Sequence, residues 1–246
     1  MSEPPFDFDE VFDDDYMYFY GPRLAEVGDT DAELIWRLLE LGPRTDVLDV
    51  PCGHGRIANR LAARGARVTG LDATPRFLEL ARAGATAAGV EVEYVEGDMR
   101  SLPWPDERFD RVFSWFTSFG YFDDEDNRRV LREACRVLRP GGRFLVELNN
   151  LAELLPRWLP SVVVENEGNL SIDRSRFDPV TGRATTERVL VRDGAIRRLT
   201  FSVRMFLAVE LGDWLRSAGF RDVEFYDGAG EPLTAEGRRL IAVARR

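Results

Sequence analysis

The stretch Thr45-Asp46-Val47-Leu48-Asp49-Val50-Pro51-Cys52-Gly53-His54-Gly55-Arg56 constrains this chain more than any other. Val47, Leu48 and Val50 form a short apolar run that reads as a buried strand. Two glycines separated by one residue follow at once. A helical pattern of Ile57, Ala58, Leu61 and Ala62 comes next and stops at Gly65. A strand that bends sharply into a helix over glycines exposes bare backbone beside a helix N-terminus, where a ligand can approach. The segment therefore predicts a binding site at a strand end.

The spacing alone leaves the ligand open. Gly53, Gly55 and Ala58 satisfy G-x-G-x-x-G/A, and an acidic residue, Asp72, follows about 20 residues on, as in dinucleotide-binding units. Asp49 argues against a dinucleotide, because it brings a carboxylate into a pocket where a pyrophosphate wants only donors. A reductase would also want a second mononucleotide half and a catalytic lysine or histidine. All 33 basic residues are arginine, and the single histidine, His54, lies inside the glycine loop.

The rest of the chain repeats the strand–helix rhythm. A helix capped by Thr30 or Asp31 is expected through Leu41, stopped by Gly42-Pro43. Arg67 to Leu71 reads as a second strand with Asp72 at its end. Thr74-Pro75 opens a helix to about Ala88. Glu91 to Glu96 is a third strand running into Gly97-Asp98-Met99, and Phe109 to Phe113 a fourth. The loop that follows the fourth strand, Ser114 to Phe122, is unusually aromatic. Asp123 or Asp124 caps a helix through Leu138, and Arg139-Pro140-Gly141-Gly142 turns into strand Arg143 to Leu148. This alternation predicts an α/β fold, a Rossmann-like doubly wound sheet with right-handed crossovers.

From about residue 151 the rhythm changes. Residues 160–206 look strand-rich, with Asp193-Gly194 as a hairpin turn. A helix from Val209 to Ala218 and strands Val223 to Tyr226 and Leu240 to Ala244 finish the chain. The leader, residues 1–23, is acidic and aromatic, with Phe6, Phe8, Phe12, Tyr16, Tyr18, Phe19 and Tyr20. If helical, Tyr16, Phe19 and Tyr20 share one face until Gly21-Pro22 ends it. A lid over the pocket is the preferred reading, and simple packing on the core is the alternative.

Composition narrows the function. With 44% apolar residues the chain is globular, and a net charge of −10 speaks against a nucleic-acid partner. The two cysteines suggest neither disulfides nor a metal, so a reduced, cytoplasmic setting is expected. Neither an export signal nor an apolar run of membrane-spanning length is visible.

Asp49, Cys52, Gly53 and Gly55 together resemble motif I of the class I S-adenosylmethionine-dependent methyltransferases: an acidic residue, two positions, a small residue, then G-x-G. The resemblance covers roughly residues 30–150 well and the last strands more loosely. It implies a seven-stranded sheet, mostly parallel with the last strand antiparallel, and a strand-rich cap inserted after the fifth strand. It also implies S-adenosyl-L-methionine as cofactor and S-adenosyl-L-homocysteine as product. The organisation expected is a lid (1–29), a cofactor-binding core (30–150 and 207–246) and a substrate cap (151–206).

By this resemblance Asp72 accepts the ribose hydroxyls, Asp98 takes the adenine amino group, Met99 packs on the ring, and the glycine loop lies against the methionine part. Arg56, Ala73, Ser114, Trp115 and Tyr20 complete the expected cofactor contacts. Arg23 is either surface charge or a partner of the ligand's carboxylate. Each residue also has a plainer reading. Asp72 could cap a helix, Asp98 could make an Asx turn, and His54 could shape its loop.

Methyl transfer from a sulfonium needs orientation and a dry cavity more than acid–base groups. A phenol or alcohol acceptor usually needs a base or metal, whereas an amine only has to lose its ammonium proton, so the composition favours N-methylation. The aromatic leader, the Phe116–Phe122 loop and the strand-rich segment resemble the small-molecule N-methyltransferases of antibiotic pathways that act on lincosamides and amino sugars. That resemblance makes Tyr16 the residue that orients the amine and Phe116 a wall of the pocket. O-methylation and a non-catalytic binding module are the rival readings. A homo-oligomer is left open.

Overall fold

A computed structural model describes residues 7–246; Phe6 of the leader lies outside them. Helix α1 (Phe8–Val11) leads into α2 (Asp14–Leu38). The alternating core follows: β1 (Asp46–Asp49), α3 (Arg56–Ala63), β2 (Arg67–Asp72), α4 (Pro75–Ala88), β3 (Glu93–Glu96), β4 (Phe109–Ser114), α5 (Asp124–Val137) and β5 (Leu138–Asn149). After a short helix α6 (Leu151–Leu154) come four strands, β6 (Ser161–Asn166), β7 (Asn169–Asp178), β8 (Arg183–Arg192) and β9 (Ala195–Arg204). Helix α7 (Ala208–Ser217), β10 (Arg221–Tyr226) and β11 (Arg239–Arg245) close the chain.

Seven strands form one sheet in the order β10-β11-β5-β4-β1-β2-β3. The run β5-β4-β1-β2-β3 is parallel, and β11 runs antiparallel to both its neighbours. Alternation along the buried strands divides the core into two layers. Val47, Phe113 and Leu145 face α2, α3 and α4, whereas Leu48, Val112 and Val146 face α5 and α7. This is the doubly wound sheet expected, with the four-stranded antiparallel sheet β6-β7-β8-β9 inserted after β5. The Asp193-Gly194 turn joins β8 to β9 as the sequence indicates, pairing Arg192 with Ala195.

One sequence expectation fails. Gly21-Pro22 does not end a helix, and neither Thr30 nor Asp31 starts one: α2 runs unbroken from Asp14 to Leu38. A proline inside a helix normally leaves the carbonyl four residues back without its donor. Here that carbonyl, of Tyr18, accepts a hydrogen bond from Asn166 Nδ2 at 2.8 Å, so the cap repairs what Pro22 removes. Asp13 caps the helix instead, accepting from the Tyr16 backbone N–H at 3.0 Å. Smaller differences lie at the ends. β5 begins at Leu138, so the Arg139–Gly142 turn is part of an irregular strand start, and α7 is shifted by one residue.

The first half of α2 lies across the cap sheet. Val11 and Phe19 pack with Leu190 and Leu199. Asp13 pairs with Arg197, and Asp15 with Arg192 and Arg197. Tyr18 Oη donates to the Asn166 carbonyl and accepts from Asn169 Nδ2 at 2.7 Å. The cap returns to the core through Phe206, which stacks on Phe119 (5.5 Å between centroids) and meets Trp214 edge-on at 4.9 Å. Phe206→Ala should therefore cost about 3–5 kcal/mol by urea denaturation, with no change in α/β content before the transition.

Candidate functional site

The carboxyl ends of β1, β2 and β4 come together at the point where strand order reverses, the place where open α/β sheets bind ligands. Gly53 and Gly55 both have left-handed backbones, at φ +54° and +74°. Gly55 has a second requirement, because a Cβ there would collide with the Tyr94 hydroxyl and with Ala81. A Cβ on Gly53 would make an ordinary contact with Phe77 at 3.9 Å, so the backbone angle alone calls for glycine there.

Asp72 organises the edge. Its Oδ2 accepts from the Gly53 N–H at 2.7 Å and its Oδ1 from the Thr74 N–H at 2.9 Å, so one carboxylate joins two strand-to-helix turns. Thr74 occupies the N-cap position of α4 without a side-chain cap bond; Asp72 serves the first turn in its place. Burial raises the Asp72 carboxyl, and the N–H donors of Thr74 and Gly53 pull it part of the way back. Asp49 is also buried and pushed well up by desolvation, with Arg56 opposing the shift and Asp72 adding to it. Burial likewise raises the Cys52 thiol.

Asp98 is held differently. Arg100 grips it as a fork, with Nη2 at 2.6 Å and Nε at 2.9 Å, while Arg100 Nη1 reaches Asp126 at 2.6 Å. Burial raises the Asp98 carboxyl but the Arg100 contacts outweigh it, leaving it below its ordinary value. Met99 beside it is buried in the core, and Ala73 is half-buried next to Asp72. Three polar atoms around these strand ends are buried without any hydrogen-bond partner: Ser114 Oγ, Trp115 Nε1 and Arg56 Nη2. Arg23 is exposed on α2 and makes no ion pair among the described residues.

A cluster of rings meets the glycine loop at Phe77, which lies beside Gly53 and His54. Tyr16 lies 5.1 Å from Tyr20, 5.3 Å from Phe12 and 5.9 Å from Phe77, and Phe12 meets Tyr121 at 5.5 Å. Burial raises the Tyr16 phenol, chiefly by desolvation, and pushes Tyr121 up to about 12, so both stay protonated at neutral pH. Phe116 is 38% exposed, with the Arg56 guanidinium 5.3 Å over its ring.

The cap's inner face carries buried polar groups beside Leu190 and Leu199. Ser171, Thr186 and Arg188 lie on it, and Arg188 grips Asp173 through two 2.7 Å hydrogen bonds while its guanidinium lies 5.2 Å from the Tyr20 ring. Sequence reading misses this face, although the period-two alternation Ser171, Asp173, Ser175 opposite Thr186 and Arg188 carries the signal. It also misses Glu147 and Arg239, which tie the Phe116 loop to Asp31 and Arg56.

His54 is enclosed near Phe77, and burial, then Arg56 and Arg60, lower its imidazole to about 4. A folded-state value below the ordinary 6.5 means the neutral form is favoured on folding. Its contribution is complete above pH 6.5 and is lost as pH falls towards 4. His54→Gln should thus shrink the drop in thermal midpoint between pH 7 and pH 4.5, and an equal drop in both proteins would contradict the assignment.

Comparison with known proteins agrees with this geometry. Residues 47–142 match a family model described as a methyltransferase domain. A demethylmenaquinone methyltransferase of Thermus thermophilus is 41% identical over 132 residues, covering 50% of this chain and 57% of the relative. This chain thus spans less than two thirds of that curated relative's length. The solved CcbJ methyltransferase from Streptomyces caelestis superposes over 92% of this chain and 97% of its own, with a TM-score of 0.74 at 24% identity. CalS10 from Micromonospora echinaspora, described as an amino pentose methyltransferase involved in calicheamicin biosynthesis and solved with S-adenosylmethionine bound, covers 100% of both chains at 23% identity and a TM-score of 0.67. These two structures share the whole fold, cap included. The glycine loop, Asp72, Asp98 and the aromatic loop all lie inside residues 47–142, the segment that resembles a methyltransferase domain.

Proposed function

We propose that this protein transfers a methyl group from S-adenosylmethionine to the amine nitrogen of a small, hydroxylated secondary metabolite. The observation that carries the proposal is the cluster of the Phe12, Tyr16, Tyr20, Phe77 and Tyr121 rings, which meets the glycine loop where Phe77 lies beside Gly53 and His54. The residues present suit the cofactor. Arg56 Nη2, Ser114 Oγ and Trp115 Nε1 are buried polar atoms that the polar groups of a bound molecule would satisfy.

In this reading Asp72 receives the ribose hydroxyls, Asp98 the adenine amino group and Met99 the ring face. Asp49, Cys52, Gly53, Gly55, Arg56, Ala73, Ser114, Trp115 and Tyr20 shape the remainder, and Arg23 is an outer contact. When bound, the cofactor supplies a sulfonium methyl that is already activated. The protein then has to align the acceptor and exclude water. Tyr16 orients the amine as a neutral phenol, because burial keeps its proton in place. It is not the base, so the nitrogen's proton leaves to solvent. Aromatic faces suit both the sulfonium and a cationic amine on its way in. Phe116 closes the side of the path.

The buried polar groups on the cap's inner face favour a hydroxylated acceptor, since the Arg188–Asp173 ion pair presents donors and acceptors together. The amino pentose named for the CalS10 relative is of that class. Residues 1–29 act as lid, 151–206 as substrate cap, and 30–150 with 207–246 as cofactor core. Reduced cysteines accord with work in the cytoplasm.

Two measurements test the reading. S-adenosylhomocysteine should raise the thermal midpoint by several degrees at about 100 times its Kd, whereas NAD(H) should not. With S-adenosylmethionine, amines in a mixed amine and phenol panel should gain the mass of one methyl group. Gain on phenols alone would favour O-methylation, and no shift with S-adenosylhomocysteine would remove the cofactor assignment. Asp72→Ala should weaken S-adenosylhomocysteine binding by about 1.5–3 kcal/mol in titration calorimetry. Tyr16→Phe should lower turnover and leave that affinity nearly intact.

A further inference from the structure

A closed ring of charges lies behind the aromatic loop, and of its members only Arg56 is among the expected cofactor contacts. Glu147 on β5 is 3% exposed. Its Oε2 accepts the backbone N–H of Phe116 at 2.7 Å and, at 3.2 Å, that of Thr117, which the Glu147 backbone carbonyl accepts at 3.2 Å as well. Its Oε1 faces Arg239 Nε at 3.7 Å. Arg239 Nη1 donates to Asp31 Oδ1 at 2.7 Å, and Asp31 Oδ2 accepts from Arg56 Nη1 at 2.9 Å. The Arg56 guanidinium then lies over the Phe116 ring, which returns the circuit to Glu147.

The two residues held by Glu147 are unusual. Phe116 and Thr117 both take left-handed backbone, at φ +65° and +53°, a region that β-branched Thr strongly disfavours. Two successive left-handed residues turn their N–H groups towards one point, a concavity that binds an anion. In this protein the anion is a side chain of the protein itself. A glycine at 117 would make the same turn without a buried carboxylate and two guanidiniums to balance it. The chain instead uses four buried or half-buried charges from α2, α3, β5 and β11 to fix one loop. The same circuit fixes Arg56, whose remaining Nη2 is the unpartnered one beside the glycine loop.

We propose that Glu147 is a positioning residue for methyl transfer. It holds the Phe116-Thr117 turn in its left-handed form and, through Arg239 and Asp31, sets the Arg56 guanidinium against the Phe116 ring, so that the wall of the transfer path and the cofactor loop are adjusted together. The inference rests on the proposed transfer reaction only for what passes along that wall.

The test compares wild type with Glu147→Gln, Thr117→Gly and the double variant. The amide that Glu147→Gln introduces keeps one acceptor but turns a donor towards Phe116, Thr117 or Arg239. Hydrogen exchange should rise at least about tenfold in E147Q at the Phe116 amide and less at Thr117, whose bond to the residue 147 backbone carbonyl remains, with β1 and β4 amides unchanged. Using the amine identified by the mass-gain panel, kcat should fall at least about tenfold while the S-adenosylhomocysteine Kd stays within about threefold. T117G removes the backbone penalty, so the double variant should recover several-fold of the lost kcat, a rescue that a purely structural role would not give. Unchanged exchange at 116 and 117, unchanged kcat, or no recovery in the double variant would each overturn the proposal. If E147Q does not fold, Arg239→Gln, which leaves Glu147 present but unanchored, should show the same pattern in weaker form; unchanged exchange there would overturn it. Failure of the transfer reading itself is recognised separately, as wild-type protein that methylates no amine while its loop amides remain protected.

Discussion

One carboxylate ties the working edge of this sheet together. Asp72 ends β2, yet both its oxygens bind backbone N–H groups of neighbouring turns, one from the glycine loop and one from the start of α4. Because strand ends splay apart, turns on adjacent strands need such a crosslink if their backbone donors and carbonyls are to keep fixed positions. The cost is a desolvated acid, visible in the raised carboxyls of Asp72 and Asp49. Glu147, buried at the same edge, is raised for the same reason. Among the described residues the interior on either side of the sheet is otherwise mostly aliphatic and aromatic. Concentrating buried acids at one end of a sheet is stability given up for function.

The second half of the site depends on a partnership between α2 and the cap. Pro22 would break a solitary helix, and it is Asn166, 148 residues beyond Tyr18, that supplies the missing donor. The arginine belt on β8 and β9 then meets Asp13 and Asp15. These surface pairs contribute little one by one. Together they hold the start of α2, which carries Tyr16 and Tyr20, against the cap.

Much of this was legible in the sequence, for physical reasons that differ by element. The parallel core could be read because its strands are short apolar runs and its helices have clear stops, and Asp193-Gly194 announced the hairpin. Asp72 drew notice as a carboxylate at a strand end after a glycine loop, but the crosslink it makes between two turns was not legible in that spacing. The continuity of α2 could not be read, since Gly21-Pro22 is a local stop signal and its remedy lies far along the chain. The same holds for the Glu147–Arg239–Asp31–Arg56 circuit. Its partners are separated by up to 208 residues, and no spacing rule predicts such pairings. Local chemistry was visible, and long-range electrostatics was not.

The central claim is that Asp72, besides crosslinking two turns, receives an adenosyl ribose beside the aromatic cluster. The most direct measurement is the crystal structure of the protein with S-adenosylhomocysteine. The account predicts ribose hydroxyls on the Asp72 carboxylate, the thioether sulfur turned towards Tyr16 and Phe116, and Arg56 Nη2, Ser114 Oγ or Trp115 Nε1 newly hydrogen-bonded. A ligand lying elsewhere, with Asp72 still bound only to the N–H groups of Gly53 and Thr74, would contradict it.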